Sequence, residues 1–532
     1  MGGPTFRPRL VRGRSVSRAG DLQQNYPLAI SGAAAKRLER PQRSLDGAMS
    51  VAMPGQPGLL DPPAPAVAQL SADLNPRTRM LLHAPILPTL LRMAWPNVLV
   101  MFAQAATGLI ETWFVAKLGT DALAGMALVF PGVMLMGMIS AGAMGGGISS
   151  AIARALGASR REEADALVLH ALVIVVALGA SFSAVMLAFG RPIYRLLGGV
   201  GGELEAALSY SNVVFAGIVL LWLMNGLANV IRGTGNMLVP ALVICIGAAA
   251  LVPLSPALIF GLGPIPALGI AGRGTALVSY YAVGAAVLAW YVLSGRNIAR
   301  LRMARLRWPL FRDILSVGAV ASLTSLQTNV TIAVTTALVA ISGGAAAAAG
   351  YGTAARLEYL LIPIVFGLGA PLVALVGTNI GAGQRQRALR VAFAGGAIAF
   401  AITEAIGIVA ALWPWWWITL FSADPQVIET GTGYLRLVGP SYGLFGLGLA
   451  LYFASQGAGR LLWPLSAGFL RMLVALGGGW LALRLTGSLR WLFAALGCGL
   501  AIYGLTILGA VGSGVWFRSA GRSRTGTPAA TR

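Results

Sequence analysis

Residues 94–118 read AWPNVLVMFAQAATGLIETWFVAKL, an apolar run long enough to cross a bilayer as one helix. Residues seven positions apart lie nearly two full turns apart on a helix, so Asn97, Gln104 and Glu111 form a polar line along this run. A carboxyl group is costly in hydrocarbon and is therefore expected to face a protein interior or a wet cavity. We predict that Glu111 is the residue on which the function of the protein depends.

The composition of the whole chain is that of a membrane protein. Of its 532 residues, 57% are hydrophobic and 11% are charged, and the mean hydropathy is +0.77, whereas about a quarter of a soluble domain is charged. Apolar runs of about twenty residues recur, which favours spanning helices over the short alternating strands of a membrane barrel. The sequence predicts an all-α membrane protein with twelve transmembrane helices. They are centred near Gln104, Met134, Val175, Val219, Ala249, Val283, Ile332, Gly367, Ala401, Leu444, Val474 and Leu500.

The formal net charge of +22 does not indicate a nucleic-acid partner, because the arginines lie in the tails and between spans rather than on an aromatic-rich basic face. Connections that should share one side of the bilayer are rich in arginine, as in residues 296–312. The connections on the other side contain only Lys117, Arg191, Arg195, Arg273, Arg484 and Arg490. By the positive-inside rule, this asymmetry places both termini in the cytoplasm. We expect the protein to lie in the plasma (inner) membrane.

Neither a metal site nor a catalytic site is indicated. Cys245 and Cys498 fall within apolar runs, where small packing residues are expected. His83 and His170 are too few and too far apart to ligate a metal. An enzyme would need a nucleophile, a base or a metal in a spaced constellation, and the sequence shows none. We therefore expect a protein that is not an enzyme and that uses no cofactor.

The chain divides into five segments. Residues 1–84 are rich in Arg, Pro, Ala and Ser without a spanning run, and they are expected to form a disordered cytoplasmic tail. Residues 85–295 and 313–516 hold six predicted spans each. The basic segment 296–312 joins them at the inner surface, and residues 517–532 form a second cytoplasmic tail. Two membrane lobes with a basic linker are the predicted organisation.

The second half of the chain repeats the first with an offset of 224 residues. The loop GASRREEA, which starts at Gly157, matches GAGQRQRA, which starts at Gly381. A six-span unit that is repeated once keeps its orientation, so the two lobes should be related by an axis along the membrane normal, with a substrate cavity between them. Under the same offset Glu111 corresponds to Thr335, so the coupling chemistry is expected in the first lobe.

Further polar residues within the spans leave more than one explanation open. Asn225 and Asn229 lie one turn apart, where they either bond neighbouring helices or line a binding cavity. Glu404, in the ninth span, is a candidate second acid, although a structural pairing is favoured for it. Other charged residues near span ends or inside the bundle are explained by snorkelling or by an ion pair, although any of them could contact an anionic substrate. They are Arg356 with Glu358, Arg436 and Arg471.

Several motifs recur in order along the two halves. They are Pro96, Gln104, ETWFVAKLG from Glu111 to Gly119, RGTG from Arg232 to Gly235, VGTNIGAG from Val376 to Gly383, and the loops at Gly157 and Gly381. Over roughly residues 88–515, the sequence resembles the multidrug and toxic compound extrusion (MATE) transporters, in their DinF-like bacterial branch. The resemblance implies two six-helix lobes around a V-shaped cavity. It also implies export of organic cations or other amphiphilic compounds in exchange for protons or sodium ions.

Carried over onto this sequence, the resemblance assigns cation coupling to Glu111, with Thr112 beside it and Gln104 two turns earlier. Many relatives have an Asp before Pro in the fifth helix, where this chain has Ser255. The C-lobe acids of sodium-coupled relatives are also replaced, with Gln327 in the seventh helix. These departures favour a mechanism with a single carboxylate and protons. The predicted substrate cavity contains Asn97, Met101, Gln104, Asn225, Asn229, Ser255 and Gln327.

Burial disfavours the charged form of a carboxylic acid, so Glu111 is expected to exchange a proton near neutral pH. With Glu111 neutral, the first helix is expected to bend near Pro96 and Gly108 and to release the substrate outward. Two alternatives stay open: Glu111 only bonds a neighbouring helix, or the protein is a flippase for lipid-linked oligosaccharides or peptidoglycan precursors. The expected partners are an amphiphilic small molecule, the coupling ion (H⁺ or Na⁺) and the lipid bilayer, and the chain is expected to be a monomer.

Overall fold

The computed structural model describes residues 75–264 and 266–517, which belong to one compact unit. Residues 1–74 and 518–532, and with them nearly all of the two predicted tails, lie outside the described residues. Helices account for most of the described residues, because a helix satisfies the backbone polar groups of a long apolar run internally.

The described N-terminal half consists of a short helix and eight longer ones. They are α1 (Pro76–His83), α2 (Ile86–Ala116), α3 (Thr120–Gly137), α4 (Gly145–Gly157), α5 (Arg161–Leu196), α6 (Gly201–Ala216), α7 (Ile218–Gly233), α8 (Leu238–Phe260) and α9 (Ile270–Leu293). A π-helical segment, Met138–Met144, joins α3 to α4 in one continuous span. Helices α6 and α7 meet at a bend of 46°.

The C-terminal half is dominated by one long helix. Its helices are α10 (Trp308–Gly381), α11 (Arg385–Leu412), α12 (Pro414–Ile418), α13 (Pro425–Val438), α14 (Tyr442–Gly457), α15 (Leu462–Met472), α16 (Gly479–Thr486) and α17 (Leu489–Gly512). Straight, the 74 residues of α10 would extend about 110 Å, far more than the hydrocarbon core of about 30 Å. The helix breaks at Gly344, whose φ of 76° suits glycine, so residues 308–343 and 345–381 are two spans.

The helices account for twelve spans. Within the described residues, ten continuous helical segments are long and apolar enough to cross a bilayer, the bent pair α6–α7 adds another, and the break in α10 adds the last. Gly439–Ser441 joins α13 to α14, and Leu473–Gly478 joins α15 to α16, so each of these pairs is one span. Each predicted centre, from Gln104 to Leu500, falls in a different span, and the predicted all-α fold is confirmed.

Two large apolar clusters form the interior. One contains residues between Val115 and Ile314, and the other is built mainly from residues between Val317 and Trp516. Each half of the chain therefore buries its apolar surface chiefly against itself, which stabilises two lobes rather than one continuous bundle. We call these the N-lobe (α2–α9) and the C-lobe (α10–α17).

Two predicted boundaries differ from the structure. Pro76–His83 is helical, although the sequence placed it in a disordered tail. The Asn75 side chain caps this helix, and Leu81 and Leu82 are buried, so it has the contacts that a disordered segment lacks. The predicted linker also ends earlier than expected, because Trp308 already starts α10.

The rest of the linker is packed against the N-lobe. The Asp165 carboxylate accepts a hydrogen bond from the backbone N–H of Arg300 at 2.7 Å. His170 accepts one through Nε2 from the backbone N–H of Arg307 at 2.9 Å. His170 therefore holds the linker in place.

The lobes meet where α4 packs along the second arm of α10. A Cβ atom at Gly157 would overlap the backbone carbonyl of Thr378, and a Cβ atom at Gly381 would overlap that of Arg154. Both pairs of positions are related by the 224-residue offset, so the contact is the same on both sides of the pseudo-symmetry axis. Only a residue without a side chain allows the two backbones to approach this closely.

An ion pair reinforces this contact. Arg154 lies 2.8 Å from the Asp313 carboxylate in the first turns of α10 and donates to the backbone carbonyl of Gly457 at 3.1 Å. Gln456 donates to the carbonyl of Gly142, again from one lobe to the other, at 3.1 Å. The lobes are thus joined near the arginine-rich ends of their helices.

Candidate functional site

Glu111 lies near the C-terminal end of α2 and is buried among neighbouring helices, with 2% of its side chain exposed. Ser255 of α8 donates a hydrogen bond to its Oε2 atom at 3.1 Å. The Nε atom of Arg273 in α9 lies 3.4 Å from the same oxygen. The carboxylate therefore faces the protein interior and not lipid.

Arg273 connects this acid to a tyrosine. It lies in the first turn of α9, is 13% exposed, and donates through Nη1 to the hydroxyl of Tyr210 in α6. Its guanidinium carbon also lies 5.0 Å from the centroid of the Tyr210 ring, within the range of a cation–π contact. We refer to Glu111, Ser255, Arg273 and Tyr210 as the N-lobe cluster.

Bonding within the N-lobe cluster is incomplete. The Oε1 atom of Glu111 and the Nε atom of Arg273 are buried, and neither has a hydrogen-bond partner in the described part of the chain. At 3.4 Å, the ion pair is held by charge rather than by a hydrogen bond of ordinary length. Most buried polar atoms in proteins are bonded. A buried acid with a free oxygen therefore marks a place that can accept a proton or a cationic group.

The guanidinium beside Glu111 corrects one expectation. From sequence, Arg273 is expected in an outer loop, whereas the structure places it in the first turn of α9, beside Glu111. Arg273 lies inside α9 because that helix already starts at Ile270, and the ends of a span are what an apolar run defines least well. The 224-residue offset relates Tyr210 to Tyr434, and this pairing is a sequence signal that could have indicated the region.

The polar line along α2 is interrupted. Asn97 is buried and donates to a backbone carbonyl one turn earlier at 3.2 Å, whereas Gln104 is exposed. Met101 is half-buried and packs against α8. None of residues 101–110 is buried, so no neighbouring helix fully covers the middle of α2. Gln104 therefore lies on an open surface, apart from the Glu111 carboxylate.

Thr112 follows Glu111 in sequence but faces another direction, because successive residues on a helix are about 100° apart. Its side chain is exposed, and its hydroxyl donates to the backbone carbonyl of Gly108 at 2.8 Å. The structure therefore does not bring the Thr112 hydroxyl together with the Glu111 carboxylate.

Asn225 and Asn229 bond neighbouring segments of the N-lobe. Asn225 donates to the hydroxyl of Ser140 at 2.8 Å, and Asn229 donates to the backbone carbonyl of Ala141 at 3.2 Å. Ser149 in turn donates to the Asn229 side chain at 3.1 Å. Of the two explanations that the sequence left open, interhelical bonding describes this structure. Their amide groups are thus engaged away from the N-lobe cluster.

The two remaining candidates lie in the C-lobe. Gln327, on the first arm of α10, is buried against Gly468 of α15, so it is separate from the N-lobe cluster. Glu404 is half-buried on α11 and accepts a hydrogen bond from the backbone N–H of Gly443 at 2.6 Å. Gly443 belongs to the first turn of α14, and a carboxylate at a helix N-terminus is stabilising. This contact supports a structural role for Glu404.

A second buried acid is found in the C-lobe. Glu358 of α10 accepts a hydrogen bond from the hydroxyl of Tyr434 in α13 at 2.7 Å. It also lies 3.6 Å from Nη2 of Arg471 in α15, and both charged side chains are 14% exposed. Of the explanations left open for Arg471 and Glu358, the ion pair is the one observed. We refer to Glu358, Tyr434 and Arg471 as the C-lobe cluster.

A cavity of about 30 Å³ adjoins the C-lobe cluster. Thr331 and Thr335 of α10 line it together with the three cluster residues. Its volume is enough for a water molecule, and the buried Thr335 hydroxyl has no partner among the described residues. Thr335 is the position that corresponds to Glu111, so the two clusters occupy related places in their lobes.

No group of three or more His, Cys, Asp or Glu side chains suited to a metal ion occurs in residues 75–264 and 266–517. Cys245 and Cys498 are free thiols. The chemistry that the two clusters offer is therefore that of carboxylates, guanidinium groups and hydroxyls.

The family model described as MatE matches residues 96–257 and again residues 321–481, which together make up more than half of the chain. One match falls in each lobe. Their starts lie 225 residues apart, in line with the internal repeat.

Individual proteins agree with the family match. The FAD transporter of Shewanella oneidensis is 32% identical over 382 residues, which cover 70% of this chain and 82% of that protein. The probable multidrug resistance protein NorM of Deinococcus radiodurans is 30% identical over 458 residues, which cover 80% and 94%. A crystal structure of MATE in the bent conformation shows the same fold, with a TM-score of 0.77, 23% identity, and coverage of 84% of this chain and 99% of that one. The resemblance inferred from the motifs is confirmed, and the chain belongs to the MATE family of efflux transporters.

Proposed function

We propose that the protein is a proton-coupled antiporter that exports organic cations, drugs or other amphiphilic compounds across the plasma membrane by alternating access. Membership of the MATE family supports efflux transport. The observation that carries the coupling is the buried Glu111 carboxylate, whose Oε1 atom lacks a partner among the described residues. A buried carboxylate with an unbonded oxygen gains a bond when it binds a proton or a cationic group.

Protonation of Glu111 changes what holds α2 in place. A neutral carboxyl group attracts the Arg273 guanidinium far less, so the ion pair that ties the end of α2 to α9 is weakened. The helix can then bend at Pro96, where the proline ring removes one backbone hydrogen bond. Helix α2 is therefore expected to move when Glu111 is protonated.

Substrate and proton compete for one carboxylate in this scheme. If a cationic substrate binds better when Glu111 is ionised, proton binding must weaken substrate binding by the same factor. Substrate loaded from the cytoplasm is then released when Glu111 is protonated from outside, which is antiport. Access to the cytoplasm opens when the lobes separate where Gly157 lies against Thr378 and Gly381 lies against Arg154.

Two features support protons rather than sodium ions as the coupling ion. Ser255, and not a second acid, is bonded to Glu111, so the site offers a metal ion one carboxylate. Arg273 also brings a positive charge to within 3.4 Å of that carboxylate. Repulsion between like charges is strong inside a protein, and a proton avoids it because it neutralises the acid directly.

The orientation follows from the arginines. The end of the bundle at which Arg154 pairs with Asp313 is the arginine-rich one, so we place it, with both termini, in the cytoplasm. The N-lobe cluster then lies toward the outer side. Since one chain supplies both lobes, we expect it to work as a monomer.

The proposal is tested with the full chain in liposomes, with an imposed pH gradient and with ethidium as the transported cation. Wild-type protein should exchange ethidium for protons, and Glu111→Gln should slow this exchange by about 100-fold or more, because an amide cannot take up the proton. The matched control Glu205→Gln removes an exposed acid from its pair with Arg191 and should transport normally. Ethidium-driven proton movement that persists in Glu111→Gln would contradict the proposal. A sodium gradient, applied separately, should drive no exchange.

A second candidate function is export of flavin adenine dinucleotide. It is supported by the relative named as an FAD transporter, which is 32% identical. This substrate is anionic and would favour a guanidinium that is free of an acid, whereas the arginines of the two clusters, Arg273 and Arg471, each have a carboxylate partner. The same consideration weighs against the flippase alternative, which a cationic cavity would favour. Flavin dinucleotide efflux from the same liposomes, at rates similar to those of ethidium, would favour the second candidate.

A further inference from the structure

We propose that Arg273 is a tethered counter-cation: it occupies Glu111 when no substrate is bound, and a substrate must bring its own positive charge to replace it. The inference rests on the proposed function and adds a residue that determines which compounds are exchanged for protons. Arg273 acts by competition, as an internal occupant of the position that a substrate cation takes.

The contact between Arg273 and Glu111 is long and lacks a hydrogen bond, so a substrate cation can replace it. Nε lies 3.4 Å from Oε2 without a hydrogen bond, and each charged group keeps a buried atom without a partner among the described residues. A strong guanidinium–carboxylate pair has two parallel hydrogen bonds of about 2.8 Å. A substrate ammonium or amidinium group that reaches Oε1 therefore makes a better contact than the one it displaces.

Tyr210 gives the displaced guanidinium a second partner. Arg273 already donates to the Tyr210 hydroxyl through Nη1, and its guanidinium carbon lies 5.0 Å from the ring centroid. When Arg273 releases Glu111, it loses the ion pair but keeps this hydrogen bond and the cation–π contact. The arginine can thus stay inside the lobe while a substrate holds the acid.

The neighbouring helices bring few ionisable groups to Glu111. Helix α8 contributes the Ser255 hydroxyl, α9 contributes Arg273, and α6 contributes Tyr210 behind the arginine. Tyr281, also on α9, lies close to Arg273 and Tyr210. Among the described residues, Arg273 is the cation that interacts with Glu111, and the hydroxyl groups of Tyr210 and Tyr281 are the other ionisable groups near the pair.

This arrangement fixes the direction in which protons move when a ligand binds. A cationic ligand needs the ionised form of Glu111, so its binding releases protons from those molecules in which Glu111 was protonated. An anionic ligand of Arg273 needs the neutral form of Glu111, so its binding takes protons up. Cationic substrates are consequently exchanged for protons, whereas anionic substrates would be carried in the same direction as protons.

Ethidium binding to the purified full-length protein tests the competition. At about pH 9, because high pH favours the ionised acid, Arg273→Met should raise ethidium affinity about tenfold, since the competing charge is gone. The pH at which this affinity is halved should move upward, because the carboxylate loses the charge that favours its ionised form. Arg273→Lys restores a competing cation and should return the affinity toward that of the wild type. Arg191→Met, the same change in an exposed ion pair, is the matched control and should have no effect.

A second variant gives an effect of opposite sign. Tyr210→Phe removes the hydroxyl that accepts from Arg273, so the arginine depends more on Glu111 and ethidium affinity should fall severalfold. A merely structural role would lower affinity in both Arg273→Met and Tyr210→Phe. That result, or an unchanged ethidium affinity in Arg273→Met, would overturn the proposal. Should Arg273→Met fail to fold, Arg273→Gln, which also removes the positive charge, takes its place and should likewise raise ethidium affinity.

Proton counting separates this inference from the proposed function. In weakly buffered solution with a pH indicator, ethidium should release protons from the wild-type protein. Carboxyfluorescein, an anion, should bind most tightly to Glu111→Gln, which leaves Arg273 unpaired, and without a change in pH. Release of protons on carboxyfluorescein binding to the wild type would contradict the inference. If wild-type protein neither binds ethidium nor releases protons, the proposed function itself fails. If it does both and Arg273→Met behaves identically, only the inference fails.

Discussion

The N-lobe cluster and the C-lobe cluster contain the same kinds of side chain but bond them differently. Tyr210 and Tyr434 are related by the 224-residue offset, and each lies beside a buried pair of arginine and glutamate. In the C-lobe the tyrosine donates to the acid, whereas in the N-lobe the tyrosine accepts from the arginine. The C-lobe acid is thus held by its tyrosine, and the N-lobe acid keeps a buried oxygen unbonded.

This difference separates a structural pair from one that can exchange partners. In the C-lobe the acid accepts a hydrogen bond of 2.7 Å from Tyr434, and a bonded polar group inside a protein favours one geometry. An acid with a free acceptor atom gains from a new partner, so it responds to protons and cations. We therefore expect the C-lobe cluster to contribute mainly stability and the N-lobe cluster to contribute mainly coupling.

The largest effect on stability is expected from Arg471→Met. It leaves Glu358 without its cation, and loss of one partner from a pair that is 14% exposed should lower the free energy of unfolding by about 2–3 kcal/mol. The unfolding temperature of the purified protein should fall, and the double variant Glu358→Gln/Arg471→Met should recover most of the loss. Arg273→Met, its N-lobe counterpart, should change ion coupling more than stability. Equal destabilisation by the two variants would remove the distinction between the clusters.

A smaller effect is expected from Tyr434→Phe. It removes a hydrogen bond of 2.7 Å to a carboxylate, which should cost about 2 kcal/mol of unfolding free energy. Tyr210→Phe should cost about 1 kcal/mol, because the aromatic ring and Glu111 still hold the arginine. Chemical denaturation of both variants in the same detergent measures the difference, and a reversed order would contradict the comparison.

The smallest effect is expected from the exposed pair of Arg191 and Glu205. Their side chains are 49% and 63% exposed, and such pairs contribute about 0–1 kcal/mol. Arg191→Met should therefore leave the unfolding temperature and the transport rate within error of the wild type. A loss as large as that of Tyr434→Phe would mean that removal of charge, and not burial, explains the differences between variants.

The fold could be predicted because a bilayer imposes a length on every apolar run. The recurrence of such runs was enough to predict the spans and their division into two repeated halves. Two features of the fold could not be predicted from the apolar runs. The two spans on either side of Gly344 form one long helix with a break, and the short α1 is stabilised by contacts from Leu81 and Leu82 rather than by its own hydropathy.

The candidate site could be predicted only in part. Glu111 and Ser255 were both selected and lie in contact, because polar residues within a span are rare enough to stand out. Gln104 was selected by its position on the helix, but the neighbouring helices decide which face is covered, and a helix's own sequence does not contain that information. Arg273 was missed because a charge near the end of a span is ordinarily assigned to the adjoining loop.

The paired glycines between the lobes have a mechanical consequence. Gly157 lies against the backbone of the C-lobe, and Gly381 lies against the backbone of the N-lobe. The two contacts are therefore equivalent under the internal repeat. If the lobes separate at this end, both contacts are therefore expected to break together. A bulky side chain at either glycine should keep the two backbones apart, because each contact leaves no room for a Cβ atom.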